Sequence, residues 1–435
     1  IGGITSFVTM AYIIFVNPQI MAAAGMDKGT VMLATCLAAA AGTLLMALYA
    51  NAPFGLAPGM GINAFFAYTV CLSMGHTWQF ALTAVLLEGL IFILLTVTNV
   101  REKIVYSLPP SIQKAIGVGI GLFIAFIGLQ NAKLVIGNKS TLVSITNFTK
   151  DFHTAGICSL LAVIGLLITV ILYIKKVPGS ILIGILATWV IGMLCQITGI
   201  YVPDFKTGYY SLFPTFAMTD FSKLGETFGK CFQYDLGKVG IFNFIAVVLS
   251  FLFVDLFDTL GTLVGVSTKA GMLNEEGKLP GIKPALMADA VATTAGAVLG
   301  TSTVTTFVES SSGVAAGGRT GLTAVVSGFL FLISTLFAPL FTAIPSFATA
   351  PALIMVGFLM FGAISDIKFT DDNMTEAVPA YLCIIAMPLF YSISEGISIG
   401  IISYVILNVV CGKAKKITPL MYVLAVLFIL KYAVL

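Results

Sequence analysis

The feature that most constrains this chain is a series of apolar runs, each about 20 residues long, that recurs from one end of the sequence to the other. A helix of about that length crosses the hydrocarbon core of a bilayer. In the whole chain 58% of the residues are hydrophobic and 9% are charged, whereas a soluble domain carries about 25% charged residues. The sequence therefore predicts an all-α polytopic membrane protein.

Fourteen transmembrane segments, called segments 1 to 14 below, are predicted from these runs. Long polar connections are expected at 131–155, 203–239 and 272–283. A last apolar stretch, 417–435, is either a further span or a helix along the interface, and the sequence leaves both open. The predicted segments are 4–24, 31–49, 61–74, 80–97, 111–129, 157–173, 181–200, 239–266, 284–299, 308–316, 320–338, 349–364, 376–391 and 397–410.

Basic residues in the short loops predict the orientation. If the N-terminus is cytoplasmic, these loops all fall on the cytoplasmic side, as the positive-inside rule expects. We therefore expect a multi-pass protein of the cell (inner) membrane with a cytoplasmic N-terminus. The loop residues concerned are Arg101, Lys103, Lys175, Lys176, Lys413, Lys415 and Lys416.

Two halves of seven segments must have opposite orientations, because an odd number of crossings inverts the second copy. The sequence YIIFVNPQI at 12–20 matches FLFVDLFDT at 251–259 through a shared FV followed by a polar residue, which sets Asn17 opposite Asp255. A second pair, 110–128 and 345–363, follows in the same order. These matches predict a 7+7 inverted repeat.

Segments 3 and 10 are interrupted at equivalent places in the two halves. NAPFGLAPGMGINAFFAYTV at 51–70 begins with prolines and glycines, and TSTVTTFVESSSGVAAGG at 301–318 begins with β-branched residues. Paired interruptions of this kind indicate a transporter site near the midplane, where unwound backbone must be buried in protein or line a cavity. Each segment is predicted as a short strand plus a half-helix. The facing strands would pair, and the half-helix N-termini would meet near Glu309 and Asn63.

Acidic residues inside the predicted membrane region indicate function, because buried charges are costly there. Asp255 and Asp258 are three residues apart and share one face of segment 8. If that face also meets Glu309, at least one of the three carboxyls is expected to hold a proton, as a proton-coupled carrier requires. Carboxylates also accept the ring N–H groups of neutral purines and pyrimidines. For Glu88 and Asp289, structural hydrogen bonding and function are equally compatible with the sequence.

The sequence argues against a nucleic-acid-binding protein, a metalloprotein and an enzyme. The net charge of +3 is spread among the loops, which argues against a nucleic-acid partner. The seven cysteines have no CxxC spacing, so we expect free thiols and no metal site. No phosphate-binding loop, HExxH or GxSxG motif occurs, and neither a cofactor nor an enzymatic activity is expected.

Four motifs in order along the chain closely resemble the AzgA-type purine permeases, a branch of the nucleobase/ascorbate transporter superfamily of the nucleobase:cation symporter type. The resemblance implies import of hypoxanthine, guanine and adenine by proton symport with alternating access. It also implies core domains at 1–100 and 239–340, gate domains at 101–202 and 341–435, and an extracytoplasmic loop at 203–238. The motifs are GGITSFVTMAYIIFVNPQI, GLAPGMGINAFFAYTV, FVDLFDTLGTLVGV and TFVESSSGVAAGGRTGLTAVVSG.

The resemblance also implies a binding site. In related uracil permeases, the corresponding motif is an acidic residue followed by H-I-G, which favours Asp258 as the aspartate that contacts the base. The inverted repeat instead favours Asp255. Both stay open, and Asp255, Asp258 and Glu309 are the candidates for proton coupling. The expected substrate-binding residues are Asn63, Asp255, Asp258 and Glu309, with Ser310, Thr262 and Gly61 as further candidates.

The alternatives are a carrier of pyrimidine or xanthine bases, a carrier of a small anion on the same fold, and a channel. An anion carrier would need a basic site, which the sequence lacks near Glu309. A channel would show flux that does not saturate. The expected partners are a purine base, protons and the lipid bilayer, and a homodimer is compatible with the sequence.

Overall fold

The computed structural model describes residues 1–98, 108–149, 151–204, 208–214, 218–234, 241–270, 272 and 282–434. Arg101 and Lys103, which the orientation argument uses, lie outside the described residues, as does most of the predicted connection 272–283.

The helical fold predicted from the apolar runs is confirmed, and each of the fourteen segments is present as helix in the described residues. Ten of the described helical stretches are long and apolar enough to cross a membrane. In chain order segments 1 to 14 are Gly2–Met10 with Ile13–Ala23; Lys28–Tyr49; Met60–Ala64 with Phe65–Ser73; Trp78–Val97; Pro110–Asn131; Phe152–Gly156 with Ile157–Ile174; Ser180–Ile197; Ile241–Ala270; Ile282–Leu299; Ser310–Ala315; Gly321–Ser334 with Thr335–Phe337 and Ala338–Thr342; Ser346–Phe361 with Gly362–Asp366; Met374–Leu389; and Ile393–Val410. Short helices outside these segments are Phe221–Glu226, Lys230–Phe232, Asp371–Asn373 and Ala414–Lys416.

Two pairs of strands accompany the helices. Leu56–Pro58 pairs with Val304–Thr306 in the middle of the bundle, as the interrupted segments predicted. Val135–Asn138 pairs with Leu142–Ile145 in a hairpin within the connection 131–155, which was predicted as a polar loop. The Asn138 side chain accepts hydrogen bonds from the backbone N–H groups of the next turn, a local device that favours tight turns.

The last apolar stretch forms the helix Pro419–Val434, whose apolar part is shorter than the ten long spans. Its Tyr432 hydroxyl donates to Glu395 at the start of segment 14. The Phe428 ring lies 6.0 Å from that of Phe253 in segment 8. The helix therefore packs along segments 8 and 14.

Segment 1 differs from the single helix predicted at 4–24. Its helices Gly2–Met10 and Ile13–Ala23 are separated by a turn at Ala11 and Tyr12, where the backbone bonds are of the tighter i to i−3 type. No proline or glycine stands at these two positions, so the sequence carried no local signal for the turn. Segment 3 likewise continues from its half-helix as a π-helix, Phe65–Ser73, which helical periodicity does not predict.

Helix packing divides the described segments into two groups. Segment 2 packs against segments 9 and 11, and segment 9 also packs against segment 4. Segment 5 packs against segments 12 and 13, segment 13 against 14, and segment 6 against 7. Segments 1, 3, 8 and 10 meet around the central strands, between these layers.

The crossing of segments 5 and 12 relies on small residues. A Cβ added at Gly357 would meet the Gly121 carbonyl oxygen and would lie 2.7 Å from the Ala125 Cβ. A Cβ added at Gly121 would lie 2.8 Å from the Gly357 carbonyl oxygen. The two backbones are thus in direct contact, as glycines allow at helix crossings in membranes.

We predict that Gly357→Ala destabilises the protein, because overpacking a tight contact costs about 1–3 kcal/mol. The midpoint of thermal unfolding in detergent, followed by size-exclusion chromatography of heated samples, should fall. Gly362→Ala is the matched control on the same segment, since a Cβ there meets nothing within 4 Å. Equal midpoints for the two variants would contradict the contact.

Candidate functional site

The paired strands in the middle of the bundle are fully buried and come from opposite halves of the chain. Leu56 faces Thr306, Ala57 faces Thr305 and Pro58 faces Val304. The ladder is extended at its two ends, where Gly59 N–H donates to Thr303 O at 3.1 Å and Phe307 N–H donates to Gly55 O at 3.0 Å. Each half thereby satisfies the unwound backbone of the other, which lipid cannot do.

Threonines of segments 2 and 9 bond to the outer edges of this strand pair. The Thr43 hydroxyl accepts from Leu56 N–H at 2.9 Å and lies 3.0 Å from Leu56 O. The Thr293 hydroxyl donates to Val304 O at 2.9 Å. Segments 2 and 9 hold the same place in the two halves, so the repeat supplies equivalent supports for the two strands.

A large cavity begins at the strand pair and opens at one end of the bundle. Its volume is about 1560 Å³, and segments 1, 3, 5, 6, 7, 8, 10 and 12 line it. Typical pockets for small ligands measure about 300–1,000 Å³, so this cavity comprises a ligand-sized inner part and an access path. Its basic side chains, Lys114 and Lys176, lie at the open end, where Lys114 also pairs with Asp366 at 3.4 Å.

Two acidic side chains, Asp258 and Glu309, line the inner part of the cavity. They come from segments 8 and 10, as the motif analysis expected. Asp258 lies against Gly59, where an added Cβ would be 3.3 Å from its Oδ2 and 2.5 Å from the Thr305 Cγ2. A side chain at position 59 would therefore fill the space between the strand pair and this carboxylate.

Glu309 is held by segment 1. The Tyr12 hydroxyl donates to its Oε1 at 2.5 Å, and the Thr9 hydroxyl lies 3.3 Å from its backbone carbonyl oxygen. The ring of Tyr12 lies 6.3 Å from that of Phe307, and both residues line the cavity. The carboxylate therefore has a fixed position beside two aromatic rings.

Asp255 is fully buried behind the cavity and belongs to a polar cluster. The Thr259 hydroxyl lies 3.0 Å from Asp255 Oδ1, 3.2 Å from Asp289 Oδ2 and 2.6 Å from the Thr305 hydroxyl. Thr305 is a strand residue that also lines the cavity. Asp255 and Asp289 thus reach the cavity through threonine hydroxyls.

Asn63 and Ser310 are also fully buried and tie the strand pair to the half-helices. The Ser302 hydroxyl donates to the Asn63 side-chain oxygen, and the Asn63 amide donates to Pro58 O at 3.3 Å. The Ser310 hydroxyl accepts from Gly55 N–H at 2.9 Å.

Of the seven residues singled out for the site by sequence, the structure brings four to the cavity wall and sets three behind it. The substrate-binding role of every one of them stays a prediction. Those on the wall are Gly61, Asp258, Thr262 and Glu309, and those behind it are Asn63, Asp255 and Ser310.

Tyr12, Gly59 and Phe307 line the cavity but were not among the site residues predicted from the sequence. Tyr12 stands in the repeat motif of segment 1, where the alignment singles out Asn17; that amide bonds instead to Thr35 at 2.7 Å and Thr301 at 2.9 Å. A polar ring within an apolar run was the signal that could have identified Tyr12.

Two further acids and one arginine have hydrogen bonds. Thr303 donates to Glu88 Oε2 at 2.8 Å, which joins segment 4 to the strand region, and Asp289 bonds to Thr259. Arg319 donates to the carbonyls of Val314 and Gly318 and so caps the C-terminal end of the half-helix of segment 10, Ser310–Ala315.

All seven cysteines are free, and five of them are buried. Cys195 is half-buried and Cys411 is exposed, so these two must be replaced in labelling experiments.

Paired interrupted segments that cross at a central cavity define this protein as a membrane transporter. The chain belongs to the permease family, whose model matches residues 1–430.

Two bacterial relatives resemble the chain over nearly its full length. The guanine/hypoxanthine permease PbuG of Bacillus subtilis (strain 168) is 46% identical over 441 residues, which cover 99% of this chain and 95% of the relative. The adenine permease AdeP of Escherichia coli (strain K12) is 40% identical over 431 residues, which cover 99% and 91%. These relatives confirm the resemblance to purine permeases.

A solved structure shares the fold. The transmembrane domain of a cyanobacterium bicarbonate transporter, BicA, matches with a TM-score of 0.62 over 91% of this chain and 95% of that domain. The sequences are 16% identical, so this likeness concerns the fold alone.

The different positions of the two aspartates can be tested by labelling. In a protein with Cys195 and Cys411 replaced by serine, we predict that a small thiol reagent modifies Asp258→Cys and leaves Asp255→Cys unmodified. Asp258 lines the cavity, whereas Asp255 is 0% exposed. Mass spectrometry of folded protein gives the extent of labelling, with urea-treated protein as the control for reactivity. Faster labelling of Asp255→Cys would contradict the placement.

Proposed function

We propose that this permease imports purine nucleobases, with hypoxanthine, guanine and adenine as candidates, by proton symport and alternating access. The observation that carries the proposal is the pair of carboxyls, Asp258 and Glu309, at the inner end of a cavity that also contains the rings of Tyr12 and Phe307. The substrate class in the names of the two relatives supports it, because guanine, hypoxanthine and adenine are all purines.

The chemistry of the cavity suits a planar base with N–H donors. A carboxylate is an acceptor with two oxygens, and ring N–H groups are good donors to it. Aromatic rings favour planar ligands through offset stacking or edge contacts. We assign the contact with the base to Glu309, and we assign the aspartate on the cavity wall, Asp258, to the same site.

An anion is a poorer candidate in spite of the shared fold with a bicarbonate transporter. Two carboxylates repel an anion, and low-dielectric walls strengthen that repulsion. The lysines that line the cavity lie at its open end, away from the acids. The fold likeness is therefore compatible with a different substrate.

Proton coupling follows from the same acids. A charged carboxyl is costly to carry through the membrane interior, and a bound proton removes that charge. We propose that Asp255, Asp258 and Glu309 exchange protons during transport, with Asp289 reached through Thr259.

Alternating access requires two bodies that move against one another. We propose that segments 1–4 and 8–11 form the core and segments 5–7 and 12–14 form the gate, which the grouping of helix contacts supports. With a cytoplasmic N-terminus, the open end of the cavity at Lys176 faces the cytoplasm, in keeping with the positive-inside rule. The state described is then inward-open.

Contacts between these proposed bodies at the opposite end are consistent with that state. The Asn131 amide donates to the Tyr68 hydroxyl at 3.4 Å, and the Thr69 hydroxyl donates to Tyr391 O at 3.4 Å. The ring of Tyr391 stands edge-on to that of Tyr68, at 5.9 Å. These contacts would have to separate in an outward-open state.

The test of function is uptake of labelled hypoxanthine, guanine, adenine, xanthine and uracil into proteoliposomes, with and without an inward proton gradient. We predict saturable purine uptake that collapses when the gradient is dissipated. Glu309→Gln should lower uptake about ten- to hundredfold, because a hydrogen bond to a charged group contributes about 1.5–3 kcal/mol.

Glu395→Gln is the control for loss of an acid elsewhere, since Glu395 bonds to Tyr432 at the start of segment 14. Normal uptake by well-folded Glu309→Gln would overturn the role of this residue. Absence of purine flux in the wild type, together with flux of bicarbonate, would overturn the substrate class.

The open side of the cavity is a separate prediction. We expect a membrane-impermeant maleimide to label Ser312→Cys from the cytoplasmic face, because Ser312 lines the cavity. The experiment compares inside-out with right-side-out vesicles, with Cys195 and Cys411 replaced by serine. Ser327→Cys is the buried control and should stay unlabelled. Labelling confined to the outer face would contradict the assigned orientation.

A further inference from the structure

We infer that Tyr12 is a specificity-determining residue whose hydroxyl holds one oxygen of Glu309 and leaves the other for the substrate. The inference rests on the proposed function, and it concerns the choice between guanine and hypoxanthine. Tyr12 belongs to segment 1, outside the segments that the sequence motifs assign to the site.

The position of Tyr12 is fixed by its surroundings. Its side chain is 1% exposed, although it forms part of the cavity wall. It lies in the turn that interrupts segment 1, and Met10, just before that turn, packs against Gly55 beside the strand pair. The hydroxyl donates to Glu309 Oε1 at 2.5 Å, and Thr9 bonds to the backbone of the same glutamate.

Segment 1 therefore contacts Glu309 at both its side chain and its main chain. A phenol has one hydrogen to donate, and here that hydrogen is directed to the carboxylate. Any ligand group that seeks Oε1 must share it with the phenol or displace the phenol.

Guanine and hypoxanthine differ in the donors that they present to a carboxylate. Guanine has a ring N–H next to an exocyclic amino group, so it can bind both oxygens of one carboxylate in parallel. Hypoxanthine has the ring N–H without the amino group and needs one oxygen. With Oε1 held by Tyr12, the second donor of guanine gains little, and the site treats the two bases alike.

Removing the hydroxyl while keeping the ring frees that oxygen. In Tyr12→Phe, guanine can bind both oxygens of Glu309, whereas hypoxanthine gains no partner. The ratio of apparent affinities should therefore shift about tenfold toward guanine, which corresponds to 1.4 kcal/mol. A merely structural role of Tyr12 would change both affinities together and leave the ratio unchanged.

The experiment measures the concentrations of unlabelled guanine and hypoxanthine that halve uptake of labelled hypoxanthine into proteoliposomes. Tyr201→Phe is the matched control, because its buried hydroxyl donates to Tyr210 O at 2.7 Å and the residue is not part of the cavity wall. A tenfold shift in Tyr12→Phe with an unchanged ratio in Tyr201→Phe supports the inference. A ratio within twofold of wild type in Tyr12→Phe overturns it.

Two further measurements apply if Tyr12→Phe does not transport or does not fold. Calorimetric binding of the two bases to purified protein gives the same ratio where Tyr12→Phe binds but does not transport. If Tyr12→Phe does not fold, Tyr12→His, which keeps an N–H donor, should retain the wild-type ratio, and a tenfold shift there overturns the inference. Absence of purine uptake in the wild type would overturn the proposed function, whereas purine uptake with an unchanged ratio in Tyr12→Phe overturns this inference alone.

Discussion

The hydrogen bonds between Leu56–Pro58 and Val304–Thr306 are the constraint on which the rest of the structure depends. The hydrocarbon core of a bilayer offers no water to unwound backbone, so each strand needs a partner inside the protein. Because the partner comes from the other repeat, neither half can complete the centre alone. The pairing brings both half-helices, and the acids that accompany them, to one cavity.

Sequence predicted this centre well because its signals are local. Prolines and glycines before Met60 and β-branched residues before Glu309 disfavour helix, and the flanking apolar runs require a membrane. The turn at Ala11 and Tyr12, and the π-helix Phe65–Ser73, were missed. Neither has a proline or glycine signal of its own, and both lie where segments pack around the strand pair, so tertiary contacts decide them.

The sequence did not predict which of the candidate site residues line the cavity and which lie behind it. Spacing placed Asp255 and Asp258 on one side of segment 8, but three residues still differ by about 60° around a helix with 3.6 residues per turn. That rotation separates a carboxyl on the cavity wall from one that is buried against Thr259. The rotation of segment 8 is set by its packing against several other segments, and one sequence does not encode it as a readable pattern.

The buried acids and the strand pair form one connected system. Thr259 has a single hydroxyl hydrogen, and Asp255, Asp289 and Thr305 all lie within hydrogen-bond distance of its oxygen. A proton gained or lost by either carboxyl changes which of these neighbours receives that hydrogen. Thr305 belongs to the strand Val304–Thr306, which leads into the half-helix Ser310–Ala315 of segment 10, next to Glu309. Under the proposed function, protonation behind the cavity and ligand contact on its wall would be joined through these two hydroxyl groups.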